Sequence, residues 1–337
     1  MPSHPLPSYP LSRRAFISGS TLSLAALALS PLAACSHDAA PAARGGEAAK
    51  TAAAPFAGTL LKRTIPASGE QVPAIGMGTS GSFEVADFDG DAARGSRDAL
   101  REVLRRFVDA GATVIDTAPT YGNAERVLGA LVAEAGVRGK LFLATKLSGV
   151  DGREAGLAQF EQSLRDLRTD KVELLQVHNL GDTRTQLALA RELKQQGRTR
   201  YVGLTHYLER AHEELAEAMR RFKPDFVQIN YSPAAPGAEQ RIFPLAQELG
   251  IAVMVNRAFD DGRLFARVKG KPVPAWAGEV GATSWAQLFL KFALGPTAVT
   301  AVIPATSKPD NQTDNLRAGI GAVLDAKQRA ALVAALG

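Results

Sequence analysis

From about Val72 onward the chain alternates short apolar runs with longer stretches in which apolar residues recur at helical spacing. The apolar runs are "VPAIGMG" (72–78), "TVID" (113–116), "LFLATK" (141–146), "VELLQVH" (172–178), "RYVGL" (200–204), "FVQIN" (226–230), "AVMVN" (252–256) and "VTAVIP" (299–304). Each is short and rich in β-branched or aromatic residues, which predicts buried strands. Helix-period segments lie between them at 96–110, 123–135, 153–168, 184–197, 210–221, 239–249 and 283–294, with Gly111, Gly136, Gly197, Gly250 and Gly295 as stop signals. Eight strand–helix units predict a parallel α/β fold closed into a (β/α)8 TIM barrel. The preceding "GTLLKRTIPASGEQVPAIG" predicts an N-terminal β-hairpin closing the bottom, and "DAKQRAALVAALG" a C-terminal extra helix outside the barrel.

One motif favours another architecture. Gly76-Met77-Gly78-Thr79-Ser80-Gly81 fits the dinucleotide fingerprint G-x-G-x-x-G after a strand, and Asp116 ends the next one. That fingerprint needs its third glycine to open a helix at once, whereas "SFEVADFDGDAARGS" intervenes here, and Asp116 falls beyond the spacing of about 20 residues expected of a ribose-binding acid. The glycines are therefore expected to form a permissive turn at the barrel rim.

The first 57 residues follow different rules. Arg13 and Arg14 precede a mildly apolar run diluted by Ser and Gly, which ends in Leu32-Ala33-Ala34-Cys35. This layout of charged, apolar and small-residue regions is that of an export signal. It resembles a twin-arginine signal with a lipobox, which implies recognition by the twin-arginine export machinery, lipidation of Cys35 and a periplasmic, membrane-anchored lipoprotein. Pro31 and the serines disfavour a membrane span, which wants roughly 20 predominantly apolar residues. Residues 36–57, rich in Ala, Pro and Gly, predict a flexible linker, and the folded domain is expected over 58–337.

Composition narrows the chemistry. The only cysteine of the 337 residues is the one in the box, so neither a disulfide framework nor a cysteine metal site is expected, and no metal is assigned. The formal charge of +5 includes the two leader arginines, and no basic stripe interleaved with aromatics predicts nucleic-acid binding.

Polar residues recur at the carboxyl ends of the predicted strands: Asp116, Lys146, His178, Thr205-His206 and, within its strand, Gln228. In a parallel barrel those ends share one face. Singly, Asp116 is also the type of residue that caps a turn, Lys146 of a solvated rim charge and His178 of a satisfied core histidine. Together they place an acid, a base and an imidazole at equivalent strand ends.

"VIDTAPTYGNAERVLG" (114–129), "LATK" (143–146), "LLQVHN" (174–179) and "IPATSKPDNQTDNL" (303–316), with "QGRTRYVGLTHY" (196–207) and "VQINYSP" (227–233), resemble in order the landmarks of the aldo/keto reductases, barrels that use a nicotinamide cofactor. The resemblance spans 58–337 and implies a catalytic tetrad of Asp116, Tyr121, Lys146 and His178, acting on a small-molecule carbonyl or alcohol. Tyr121 would be the proton donor. A phenol is a reluctant acid at neutral pH, and a neighbouring ammonium such as that of Lys146 eases release of its proton. Asp116 would hold Lys146, and His178 would bond the carbonyl oxygen.

The resemblance also implies cofactor contacts from Gln228 to the nicotinamide amide and from Thr205 and His206, where the family usually has Ser-Asn. Many members stack an aromatic ring on the nicotinamide where this chain has Asn256. Arg257 beside it is a candidate for phosphate contact or stacking, and equally for a rim salt bridge. Ile303, Pro304, Thr306, Ser307, Lys308, Asn311 and Asn315 would hold the adenosine end. NADP(H) is the family default over NAD(H), with Lys308 as a candidate for the 2′-phosphate, although Ala305 and Asn311 replace basic residues of some members. Rim loops 79–95, 179–184, 231–238 and 256–282 would shape the substrate pocket, with Phe83, Phe88, Tyr207, Tyr231, Phe259 and Trp276 as apolar candidates. A barrel that holds the cofactor without turnover, as a redox sensor or structural subunit, is the alternative.

Overall fold

The computed structural model describes residues 56–337; the expected leader, Cys35 and all but the last two residues of the expected linker lie outside the described residues. Packing against the core begins at the partly buried Phe56, just ahead of the expected boundary at Gly58. The expected hairpin is present. Strands β1 (Lys62–Thr64) and β2 (Gln71–Pro73) pair antiparallel, with Arg63 opposite Val72.

Eight parallel strands follow in sequence order: β3 (Met77–Gly78), β4 (Val114–Asp116), β5 (Phe142–Leu147), β6 (Val172–Val177), β7 (Thr199–Thr205), β8 (Phe226–Asn230), β9 (Ala252–Asn256) and β10 (Val299–Val302). The last returns beside the first through parallel pairings Ile75–Val302 and Gly78–Ala305, so the sheet is a nearly closed (β/α)8 barrel. The seam is hydrogen-bonded from Gly76 N to Val302 O at 2.8 Å and from Val302 N to Ala74 O at 2.9 Å.

The run 72–78 is not one strand. Val72 and Pro73 belong to the bottom hairpin, and the chain then crosses to the barrel seam. Gly76 permits the crossing, because a Cβ there would lie 2.7 Å from the carbonyl oxygen of Val114. The first two glycines of the fingerprint thus lie in the seam rather than in a rim turn, and only Gly81, with φ +67°, turns the chain. A loop then leads to the first long helix, so the geometry of a dinucleotide fingerprint is absent from this stretch.

Helices α1 (Arg94–Asp109), α2 (Ala124–Ala135), α3 (Arg153–Asp166), α4 (Thr183–Gln195), α5 (His212–Phe222), α6 (Ile242–Leu249), α7 (Arg263–Arg267), α8 (Trp285–Leu294), α9 (Pro309–Arg317) and α10 (Ala326–Ala335) complete the described domain. The successive pairs α1–α2, α2–α3, α3–α4, α5–α6 and α8–α9 pack on one another, and α1 meets α9 where the ring closes. Four of the five expected stop glycines have positive φ, but Gly295 is right-handed; its helix ends because Pro296, which follows, has no N–H to continue the ladder. Short α7, inside the rim loop 256–282, has too few residues to give a period, so the pattern did not predict it.

Strand alternation fills the barrel in layers. Phe142, Tyr201 and Phe226 point inward and pack ring to ring at 5.4–5.9 Å, closed from below by Ile65 and Val72 of the hairpin. Two or four residues further along the same strands, the inward positions become polar: Lys146 above Phe142, Gln228 above Phe226, and Gln176 above Leu174. Above Tyr201 comes Gly203, where a Cβ would lie 2.9 Å from Gln176 Cγ. The aromatic floor therefore carries a polar storey directly on top of it.

Because the Gly76 contact is with backbone, the seam cannot give way cheaply. Gly76→Ala should lower stability by about 1–3 kcal/mol in chemical denaturation, whereas Gly95→Ala, where a Cβ meets nothing within 4 Å, should leave it unchanged or raised.

Candidate active site

The polar storey is built around one ion pair. Lys146, with none of its surface exposed, places Nζ 2.6 Å from Asp116 Oδ2 and donates to the carbonyl oxygen of Thr117 at 2.7 Å. Its Nζ also lies 4.8 Å from the centre of the Tyr121 ring. Burial works against the ammonium, but the Asp116 carboxylate, with Tyr121 behind it, outweighs that, and the lysine is held above its ordinary value. The other carboxylate oxygen, Oδ1, accepts from Gln176 Nε2 at 3.0 Å and Gln228 Nε2 at 2.9 Å. Both glutamines are buried.

His178 follows β6 and meets Tyr121 edge to face, ring centres 6.0 Å apart. Its Nδ1 lies 2.7 Å from Ser148 Oγ. Gln159 fixes that serine through both backbone groups, accepting from Ser148 N at 2.7 Å and donating to Ser148 O at 2.8 Å. Burial first, then the Lys146 cation and His206, push the imidazole down to about 3, so it is neutral at physiological pH.

Above the storey opens a cavity of about 490 Å³ lined by Asp116, Tyr121, His178, Thr205, Gln228, Asn256, Arg257, Ile303 and Pro304, among others. Three of the four expected tetrad residues thus meet at one cavity, with Lys146 directly beneath Tyr121. The expected cofactor residues divide. His206 is not among the lining residues; its Nδ1 accepts from Tyr207 N at 2.9 Å and Leu208 N at 3.2 Å, and its ring stacks on Tyr207. Thr306, Ser307, Lys308, Asn311 and Asn315 sit at the junction of β10 and α9, outside this lining, with Lys308 and Asn311 exposed and Asn315 buried. Arg257 adopts the rim-salt-bridge alternative, pairing with Asp261 at 2.9 Å while its guanidinium covers the Tyr207 ring at 4.2 Å.

The aromatic wall differs from expectation. Tyr207 and Phe259 line the cavity, but Phe83, Phe88 and Tyr231 are buried in the core and Trp276 packs against it. Phe265 takes part instead: on α7 it is 40% exposed, 5.1 Å from Phe259 and 5.7 Å from Phe289. Ser148, Gln176 and Phe265 were all missed from the sequence. Ser148 follows the end of β5 two residues after Lys146, and Gln176 lies on β6 two residues before His178; that spacing of two is the signal that could have found them. Phe265 gave no signal, because it depends on the unpredicted α7.

Residues 74–336 match the model of the aldo/keto reductase family. The chain belongs to the aldo/keto reductase family. Among relatives of this aldo/keto reductase, the methylglyoxal reductase DkgB of Escherichia coli is 27% identical over 271 residues, covering 78% of this chain and 92% of its own. A solved aldo/keto reductase of Klebsiella pneumoniae, in complex with NADP and acetate, is 27% identical with a TM-score of 0.66, over 81% of this chain and 94% of its own. A holo-form aldo-keto reductase of Bacillus halodurans, 23% identical, shares the fold with a TM-score of 0.64 over 82% and 96% of the two chains.

The unfolded chain binds a proton on His178 from the ordinary value of 6.5 downward, whereas the folded chain does so only near 3. His178 therefore stabilises the fold fully above 6.5, and that contribution is lost as pH falls toward 3. Imidazole NMR at pH 5 should find His178 neutral; a titration midpoint above 5 would contradict the site described.

Proposed function

We propose that the protein is an NADP(H)-dependent oxidoreductase that interconverts a small carbonyl compound and its alcohol. The observation that carries this is the convergence of the Lys146–Asp116 pair, Tyr121 and His178 on one wall of a cavity with aromatic sides. When bound, the nicotinamide supplies or takes up the hydride. Tyr121 donates a proton to the carbonyl oxygen, and the Lys146 ammonium at its ring stabilises the phenolate left behind. The neutral His178, with the Ser148 hydroxyl donating to Nδ1, carries its proton on Nε2 and hydrogen-bonds the same oxygen. Phe259, Phe265 and Tyr207 exclude water and favour an apolar or aromatic carbonyl compound.

The residues present fit a nicotinamide. Asn256 lines the cavity and brings an amide side chain of the kind that pairs with a carboxamide. Gln228 and Thr205 line the same wall. Lys308 is the N-cap of α9, so its charge adds to a helix N-terminus suited to phosphate. Together with the NADP carried by the Klebsiella pneumoniae relative, this favours NADP(H) over NAD(H).

The leader adds the cellular setting. In this reading the twin-arginine route exports the barrel folded with its cofactor inside, and Cys35 anchors it to the membrane on the periplasmic side. The cofactor is then recycled in place by coupled oxidation and reduction of two substrates.

Tyr121→Phe should slow NADPH oxidation by aldehydes and ketones at least ~100-fold while NADPH fluorescence still reports binding; undiminished turnover would refute the assignment. Replacing Arg13 and Arg14 by lysine should leave full-length protein in the cytoplasm, and peptide mapping of the parent should find a lipid-modified Cys35 at the mature N-terminus. An unprocessed or soluble parent protein would overturn the export reading.

A further inference from the structure

His178 stands just beyond the reach of its strand. β6 ends at Val177, and the chain then turns sharply, with Asn179 at φ +51° and Leu180 at φ +58°. Side-chain contacts must therefore orient the imidazole, and there are two of them. Tyr121 meets the ring edge to face, and Ser148 Oγ lies 2.7 Å from Nδ1. Only the second depends on which ring nitrogen carries the proton.

Ser148 is itself past the end of its strand. β5 stops at Leu147, which leaves the backbone N–H and C=O of Ser148 beyond the ladder in a residue only 2% exposed. Gln159, on α3, meets both: its Oε1 accepts from Ser148 N at 2.7 Å and its Nε2 donates to Ser148 O at 2.8 Å. The side-chain amide thus exchanges two hydrogen bonds with one residue, as an antiparallel strand would. The serine backbone is fixed by this, and its Oγ is aimed at His178.

The proton count decides the tautomer. Among the described residues the Ser148 hydroxyl has one partner, His178 Nδ1. If Nδ1 carried the imidazole proton it would donate to Oγ, and the buried hydroxyl proton would be left without an acceptor. With Nδ1 unprotonated, the hydroxyl donates to it and both groups are satisfied. His178 lines the cavity and Ser148 does not, so the edge left for the cavity carries Nε2–H.

We propose that Ser148, locked in place by Gln159, is a positioning residue for the reaction: its hydroxyl confines His178 to the tautomer and orientation in which Nε2–H meets the substrate oxygen. The proposal rests on the reading that a carbonyl compound and its alcohol are interconverted in this cavity. Both imidazole nitrogens are then occupied, one by the serine proton and one by its own, so His178 serves as a fixed hydrogen-bond donor and proton exchange falls to Tyr121.

The test combines imidazole nitrogen NMR of the protein without added cofactor and turnover of NADPH with an aromatic aldehyde. In the parent, Nε2 should be the protonated nitrogen of His178. Ser148→Ala should let the proton exchange between the two nitrogens and lower kcat about tenfold, with NADPH affinity unchanged. Gln159→Ala should lower kcat to a similar extent, and adding it to Ser148→Ala should bring no further loss. A Ser148→Ala protein with the proton still confined to Nε2 overturns the proposal, as does one with the parent's kcat or one that loses NADPH affinity along with rate. Effects of the two substitutions that multiply also overturn it. A parent that turns over no carbonyl compound overturns the functional reading and this proposal with it, whereas an active parent with its proton on Nδ1 overturns only the role of Ser148.

Discussion

A lysine and an aspartate sealed inside a barrel, 2.6 Å apart, are the constraint from which the rest of the site follows. Removing two charges from water is costly, and their mutual attraction compensates only when the remaining hydrogen-bonding capacity is also met. Here it is met from several strands at once. The ammonium has Asp116 and the Thr117 carbonyl, and the carboxylate has two glutamine amides from β6 and β8. Such an arrangement needs inward-facing positions on strands distant in sequence at one height, which the closed parallel barrel supplies and a flat sheet does not.

The pair is also a source of order. With its carboxylate demanding donors, Gln176 and Gln228 have one available orientation, and Asn256 inherits its own from Gln228. With its ammonium held against the Tyr121 ring and close enough to act on His178, it helps keep the imidazole neutral. One buried charge pair thereby acts on the Tyr121 ring, the His178 imidazole and the polar wall. The structural cost of this arrangement is visible in Gly203, which leaves the space that Gln176 fills.

Much of this was legible in the sequence, for reasons that also explain what was not. Strand and helix periods gave the barrel, because each unit repeats the same pattern, and Asp116, Lys146 and His178 came together because they stand at the ends of three successive strands, with Tyr121 in the loop that follows the first. Gly76 and Gly78 were misplaced to a rim turn, since a glycine required by the backbone of a neighbouring strand looks the same in sequence as one required by a turn. His206 has the residue type of a cofactor ligand, but its direction is set by contacts with the backbone of Tyr207 and Leu208 that no spacing encodes. Phe265 depended on α7, a helix of five residues, whereas Phe83 and Tyr231, chosen for aromatic character in rim loops, went into the core.

The claim that Lys146 and Asp116 act as a unit can be measured with a double-mutant cycle on the rate of a single turnover, using NADPH-loaded protein and an aromatic aldehyde. Lys146→Met and Asp116→Asn should each slow the transfer by ~100-fold or more, and the double variant should be no slower than the slower of the two, as for groups that function together. A double variant slowed by the product of the two single effects would show independent contributions, and would contradict the central role given to the pair.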